Sequence, residues 1–155
     1  MTKIHFEITT PERQLVKDEV DSITAMTQTG ELTILNNHIP LVVPVAPGEV
    51  RVKKGGKEQY YAVAGGFLEV RREPKGEPHT TRVTVLADSA ARVEEIEESE
   101  AEKARERAKK AMQEYKATDS EKFAEATAAF ERAISQLQVA RRRKARGRTT
   151  ASGNE

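Results

Sequence analysis

The sequence predicts an α+β chain, with a β-sandwich or barrel first and a two-helix hairpin after it. Three observations carry this. All six prolines and seven of the nine glycines fall before residue 80, and none of either occurs from His79 to Arg146. Glycine and proline punctuate short elements, so the shift marks two structural regimes. The first part alternates apolar and polar residues with period two, and the second repeats apolar residues at helical spacing.

The elements follow in chain order. Ile4, Phe6 and Ile8 alternate with polar neighbours, which buries one face of a strand. Ile23 and Ala25 repeat the pattern within Ser22–Thr27, and Gly30–Leu35 reads as a further strand. Leu41–Val43 is an apolar run broken by Pro44, which suits an edge or a strand start. Val50 and Val52 lead into Lys53-Lys54-Gly55-Gly56-Lys57, and Tyr61 and Val63 continue on the other side. Gly-Gly there supplies the positive φ of a tight hairpin. Phe67–Val70 and Val83–Leu86 add two strands, and the charged stretch around residues 71–82 reads as a long polar loop. Many short strands with regular turns indicate a sandwich or barrel.

Beyond residue 88 the stripe Ala101, Ala104, Ala108, Ala111, Met112 and Tyr115 marks one helix. Phe123, Ala126, Phe130, Ala133, Ile134 and Leu137 mark another. Asp119 or Ser120 caps the second, because its side-chain oxygen accepts a free first-turn amide. Alanine-rich stripes allow close approach but bury little area, so the hairpin is held loosely. Three regions follow: 1–88 as the β-domain, 89–141 as the hairpin, and 142–155 as a basic tail without structure.

The 26 basic and 25 acidic residues are strongly sorted. Glu94, Glu95, Glu97, Glu98, Glu100 and Glu102 crowd the start of the first helix, where the dipole favours acids. Arg141, Arg142, Arg143, Lys144, Arg146 and Arg148 crowd the end of the second. That many cations exceed what a helix end needs, so a negatively charged partner is expected.

Catalytic signals are weak. There are no cysteines, which removes disulfides, thiolate zinc sites and cysteine nucleophiles. His5, His38 and His79 sit in separate segments without ligand spacing, so no metal is expected. Gly55-Gly56 and Gly65-Gly66 lack the Lys-Ser/Thr and helix of a phosphate loop. No serine sits in a nucleophile elbow. The reading is a non-enzyme without a cofactor. The N-terminus lacks the apolar run of a signal peptide, and no stretch reaches the ~18 apolar residues of a membrane span.

Several segments together resemble one family. Gly30-Glu31-Leu32-Thr33-Ile34-Leu35 followed by His38-Ile39-Pro40-Leu41 is similar to the ε subunits of F-type ATP synthases. So are Ala62–Val70, Val83–Asp88 and the opening Thr10-Pro11-Glu12 before a strand, in the family's order and spacing. The resemblance covers about residues 2–140 and implies a flattened sandwich of about ten strands carrying a helical hairpin. It implies a rotor subunit that binds the γ subunit and the c-ring loops at the cytoplasmic face of the membrane. Glu31 and His38, read as displayed on one polar loop, would face that interface. It also implies an arm that extends into the catalytic head, made of α and β subunits, and inhibits ATP hydrolysis. Arg132, Arg141, Arg142, Arg143 and Lys144 are the candidates for contact with acidic β-subunit segments.

Some members bind ATP in the folded hairpin through Ile/Leu-Asp-x-x-Arg-Ala. Here the stretch is Ile96-Glu97-Glu98-Ser99-Glu100-Ala101, with an acid in place of the arginine. Such members also carry two bases four apart on the second helix. Here the pair is Arg132 and Gln136. Glu97, Arg107 and Arg132 are thus the residual nucleotide candidates, and binding is expected to be weak or absent. The rival reading is a nucleic-acid-binding module with an Arg-rich tail, since basic clusters bind phosphate. Against it, residues 1–88 hold eleven basic and twelve acidic residues and no aromatic stacking platform.

Overall fold

The computed structural model describes residues 3–74 and 80–151, with the side chains of the last helix followed to Arg146. The chain divides into two compact units, Met1–Ala91 and Arg92–Glu155.

Nine strands occur among the described residues of the first unit and its border: β1 Ile4–Thr9, β2 Gln14–Val20, β3 Ser22–Thr27, β4 Gly30–Ile34, β5 Leu41–Lys54, β6 Lys57–Val63, β7 Gly66–Glu73, β8 Thr80–Ala87 and β9 Ala90–Arg92. The sandwich arises because β5 serves two layers. Its first half, Leu41–Val45, pairs with β7, which continues through β8 and β1 to β2. Its second half, from Gly48 onward, pairs with β3 and β6, which extend to β4 and β9. Splitting β5 at the layer change gives the tenth strand that the family resemblance implies.

One core lies between the layers. Ile4, Phe6, Ile8, Leu68, Val70, Val83 and Val85 from the first meet Ile23, Ile34, Val50, Val52, Tyr61 and Val63 from the second. Phe6 and Tyr61 touch across it, ring centroids 6.2 Å apart. Strand β1 shows the pleat most clearly, its residues alternating buried and half-buried along the whole strand.

Ion pairs tie the strand ends. Asp21 takes bonds from Lys3 and from the Gly55 amide, which hold its carboxyl below the ordinary aspartate range. Lys54 Nζ bonds Asp18 Oδ1 at 2.6 Å. Charge also corrects the long-loop expectation for residues 71–82. Arg71, Arg72 and Glu73 pair in register with Arg82, Thr81 and Thr80, so β7 and β8 run well into that stretch. Arg82 and Glu73, 2.5 Å apart, neutralise each other across the strands. Within that stretch, residues 75–79 lie outside the described structure.

The second unit contains a 3₁₀ turn at Val93–Glu95, then α1 Glu98–Tyr115 and α2 Ser120–Ala151. Asp119 caps α2 as expected, its Oδ1 accepting the Lys122 amide at 3.0 Å. Ala101 and Ala108 of α1 and Ala126, Ala133 and Leu137 of α2 are buried. At the loop end Lys122 Nζ stands 5.1 Å from the Tyr115 ring centre, a cation–π contact. The tail expectation is corrected as well: α2 continues to Ala151 instead of losing structure from residue 142. Arginine and lysine are good helix formers, and cations suit a helix C-terminus. Residues 152–155 lie outside the described structure.

Candidate functional site: interaction surfaces of the two units

The outer face of the β5–β7–β8 layer is apolar at one end, next to Glu69 and Thr84 on the same face. Pro44 pairs with Phe67, and Phe67 pairs with Leu86, so three side chains line up across three strands. Val42 stands two residues from Pro44 on the same face. Phe67 is 54% exposed, Leu86 52% and Val42 63%, while Leu35 at 57% and Ile39 at 66% stand out from the segment before β5. Clustered exposed apolar side chains mark an interaction surface, whereas scattered ones do not. The sequence reading missed this patch. Its signal is the consecutive pairs Phe67-Leu68 and Val85-Leu86, since adjacent strand residues point to opposite faces.

The structure separates Glu31 from His38. Glu31 is the second residue of β4, beside the β3–β4 turn, and is 3.5 Å from Arg51 Nη2. His38 lies past the other end of that strand. Four residues of strand span about 13 Å, so the shared polar loop expected for them does not exist. The turn that holds His38 is pinned by its neighbours. Asn37 adopts φ 65° and donates its amide to Thr81 Oγ1 at 2.8 Å, and Arg72 Nη2 donates to the Asn37 carbonyl at 3.3 Å. His38 Nδ1 sits 2.8 Å from the carbonyl of Ile39. His5 bridges Glu19 at 3.2 Å and Glu73 at 3.3 Å on the β-unit, and His79 lies outside the described residues. Among the described residues no three of His, Cys, Asp and Glu gather as metal ligands.

In the helical unit the residual nucleotide candidates part company. Arg107 and Arg132 face each other in a cleft of about 580 Å³ between α1 and α2, with Tyr115, Lys122 and Gln136. Glu97 lines a different cleft with Ile96, Glu98, Arg143 and Lys144. No single site therefore contains all three.

The basic end of α2 is partly occupied within its own unit. Lys144 Nζ bonds Glu98 Oε2 at 2.5 Å, Arg141 Nη2 bonds Glu102 at 3.1 Å, and Arg141 Nε stands 3.5 Å from Glu98. The bond from Lys144 is the main cause holding the Glu98 carboxyl below its ordinary range, and Arg141 adds to it. Arg132 lies two to three helical turns away on α2. The sequence reading assigned the glutamates to the helix dipole and did not pair them with the far helix.

A two-layer β-unit with an exposed apolar patch, followed by a charge-sorted helical pair, is the build of a small non-catalytic subunit of a larger assembly. Comparison with known proteins gives the particular family. The model of the ATP synthase Delta/Epsilon chain beta-sandwich domain matches residues 3–93, and that of its long alpha-helix domain matches residues 94–141. The ATP synthase epsilon chain of Herpetosiphon aurantiacus is 41% identical over 143 residues, covering 92% of this chain and 98% of that one. That of Halalkalibacterium halodurans is 38% identical, covering 92% and 100%. A chain in the mitochondrial ATP synthase OSCP/F1/c-ring structure of Euglena gracilis superposes with a TM-score of 0.62 at 28% identity, over 84% of this chain and 77% of that one. The chain belongs to the ATP synthase delta/epsilon family, as an epsilon-type, non-catalytic stalk subunit of that membrane-bound complex. Among the described residues no helix is long and apolar enough to cross a membrane.

Proposed function

We propose that this chain is a rotor subunit whose β-unit docks on the γ subunit and the c-ring loops and whose helical unit restrains ATP hydrolysis in the catalytic head. The complex then sits at the cytoplasmic face of the membrane. The observation that carries the docking half is the exposed row Val42, Pro44, Phe67 and Leu86. A rotor subunit must transmit torque through a dry, rigid contact, and a flat apolar strand face supplies one. Glu31 and His38 mark two separate edges for polar contacts with the c-ring, not one loop. For the arm, Arg132 and the Arg141, Arg142, Arg143 and Lys144 group supply cations toward acidic segments of the β subunits.

The docking reading is tested by Phe67→Glu combined with Leu86→Lys in the full chain. Both positions are exposed, so the sandwich is expected to keep its unfolding temperature within a few degrees. Affinity for isolated γ is expected to fall at least about a hundredfold, because aromatic anchors dominate such contacts and the new charges are desolvated. Unchanged affinity would move the γ contact off this face.

No nucleotide is assigned to the cleft between the helices. Arg107 and Arg132 provide two positive charges, but Glu100 and Gln136 stand where ATP-binding members carry basic residues. Calorimetric titration of the full chain with ATP is expected to show no micromolar binding. A micromolar isotherm lost in Arg107→Ala would reinstate the site.

A further inference from the structure

Two short runs of charge meet at the open end of the hairpin. Glu98 and Glu102 are four residues apart on α1, and Arg141 and Lys144 are three apart on α2. Those spacings put each pair on one helical face. The faces oppose each other, and three ion pairs join them: Lys144 with Glu98, Arg141 with Glu98 and Arg141 with Glu102. Glu102 is shared further with Arg105 Nη2 at 3.0 Å on its own helix. Arg143 Nη1 reaches the carbonyl of buried Val93 at 3.5 Å, which adds a strut to the turn before α1. Below this end the packing is largely alanine, which buries little apolar area per residue.

We propose that Glu98 and Glu102 form an acidic clasp that holds Arg141 and Lys144 in the closed hairpin, and that an acidic peptide surface opens the hairpin by exchange for the same cations. This rests on the arm reading above. Arg141 already spans Glu98 and Glu102, and Lys144 is turned toward Glu98, so a partner's carboxylates compete for donors that the closed hairpin occupies and closing opposes docking at those two residues. The partner need not contribute a large net attraction. It replaces one set of carboxylates by another, and a small differential affinity then moves the population. Because the pairs are largely exposed, salt loosens the clasp in the isolated chain.

The test uses the full chain, which has no cysteine of its own. Ser99→Cys and Gln138→Cys, both at exposed positions, carry a pair of spin labels whose separation reports opening. In this background Glu98→Gln with Glu102→Gln is expected to raise the open fraction about fivefold, from the loss of three exposed pairs. Exchange of the charges with all partners of Glu98 included, Glu98→Lys and Glu102→Gln with Arg141→Glu and Lys144→Glu, is expected to restore most of the closed fraction, which a purely structural role of these residues would not do. An open fraction unchanged by the double glutamine variant overturns the clasp, as does failure of the exchange to restore closure. The assembled synthase separates this from the arm reading. The double glutamine variant is expected to hydrolyse ATP more slowly there, since the arm is released. A raised open fraction without slower hydrolysis leaves the clasp in place and overturns the inhibitory role of the arm.

Discussion

Removal of residues 92–155 is expected to raise ATP hydrolysis by the assembled enzyme about threefold to tenfold while leaving synthesis nearly intact. The cut falls between the two compact units, Met1–Ala91 and Arg92–Glu155. Every residue of the hydrophobic core cluster belongs to the first, so the β-unit keeps what folds it. Its apolar face at Val42, Pro44, Phe67 and Leu86 is also retained, and with it the surface assigned to assembly. What leaves is a helical pair whose far end is strongly basic. Exposed ion pairs are worth little singly, but several cations inserted together among acidic segments in a partly dry cavity do more. An inhibited population of about nine in ten, released by the truncation, corresponds to a tenfold gain. Reversal of Arg132 and Arg142 to Glu, both outside the clasp, is expected to give part of the same gain. Equal hydrolysis by truncated and intact enzymes across nucleotide concentrations and driving forces would remove the inhibitory role and leave the basic end of α2 to another partner.

The sequence carries some of this architecture openly and hides the rest for definable reasons. The Lys53–Lys57 turn is readable because Gly55 and Gly56 supply the positive φ the turn needs, at 55° and 79°. Asp119 is readable as a cap because a helix start leaves amides free. Strand β2 shows little alternation because Asp18 occupies the position between buried Val16 and Val20, where Lys54 neutralises it. The layer change within β5 is invisible locally, since nothing in a run of valines says where one partner strand gives way to another. The ends of β7 and β8 look like loop because their charges are paired across the sheet, which only register reveals. Glu31 and His38 look like neighbours because seven residues seem few, yet Glu31 stands at the start of β4 and His38 lies past its other end. The clasp is hidden most completely, since Glu98 and Lys144 are 46 positions apart and only the hairpin brings them together.

Substitution of Gly66 by alanine is expected to cost the β-unit about 3–5 kcal/mol. Gly66 begins β7 with φ 125°, a conformation that costs a side-chain-bearing residue about 1–3 kcal/mol on its own. A Cβ there would stand 2.0 Å from the Leu86 carbonyl oxygen and 2.9 Å from the Ala87 Cα. Both belong to the backbone of β8, which is held by β7 on one side and β1 on the other, so no side chain can swing aside. Gly66 also pairs with Val45, the last residue of β5 before it crosses to the second layer. Relief of the clash would therefore disturb three strands at the point where the layers join. Small domains hold about 5–15 kcal/mol in reserve, and each kcal/mol moves the unfolding temperature of a domain this size by about 4–8 °C. A fall of roughly 15 °C or more is expected in thermal unfolding of the full chain. Gly55→Ala is the matched control, because its φ of 55° lies in the left-handed region and its Cβ would meet open space. That variant is expected to lose only about 1–2 kcal/mol. Equal losses in the two would mean that the dihedral angle alone is costly and that the close approach of β7 to β8 is not. The close approach also aligns Phe67 with Leu86 and Pro44, so Gly66→Ala is expected to weaken γ binding even at temperatures where the domain remains folded.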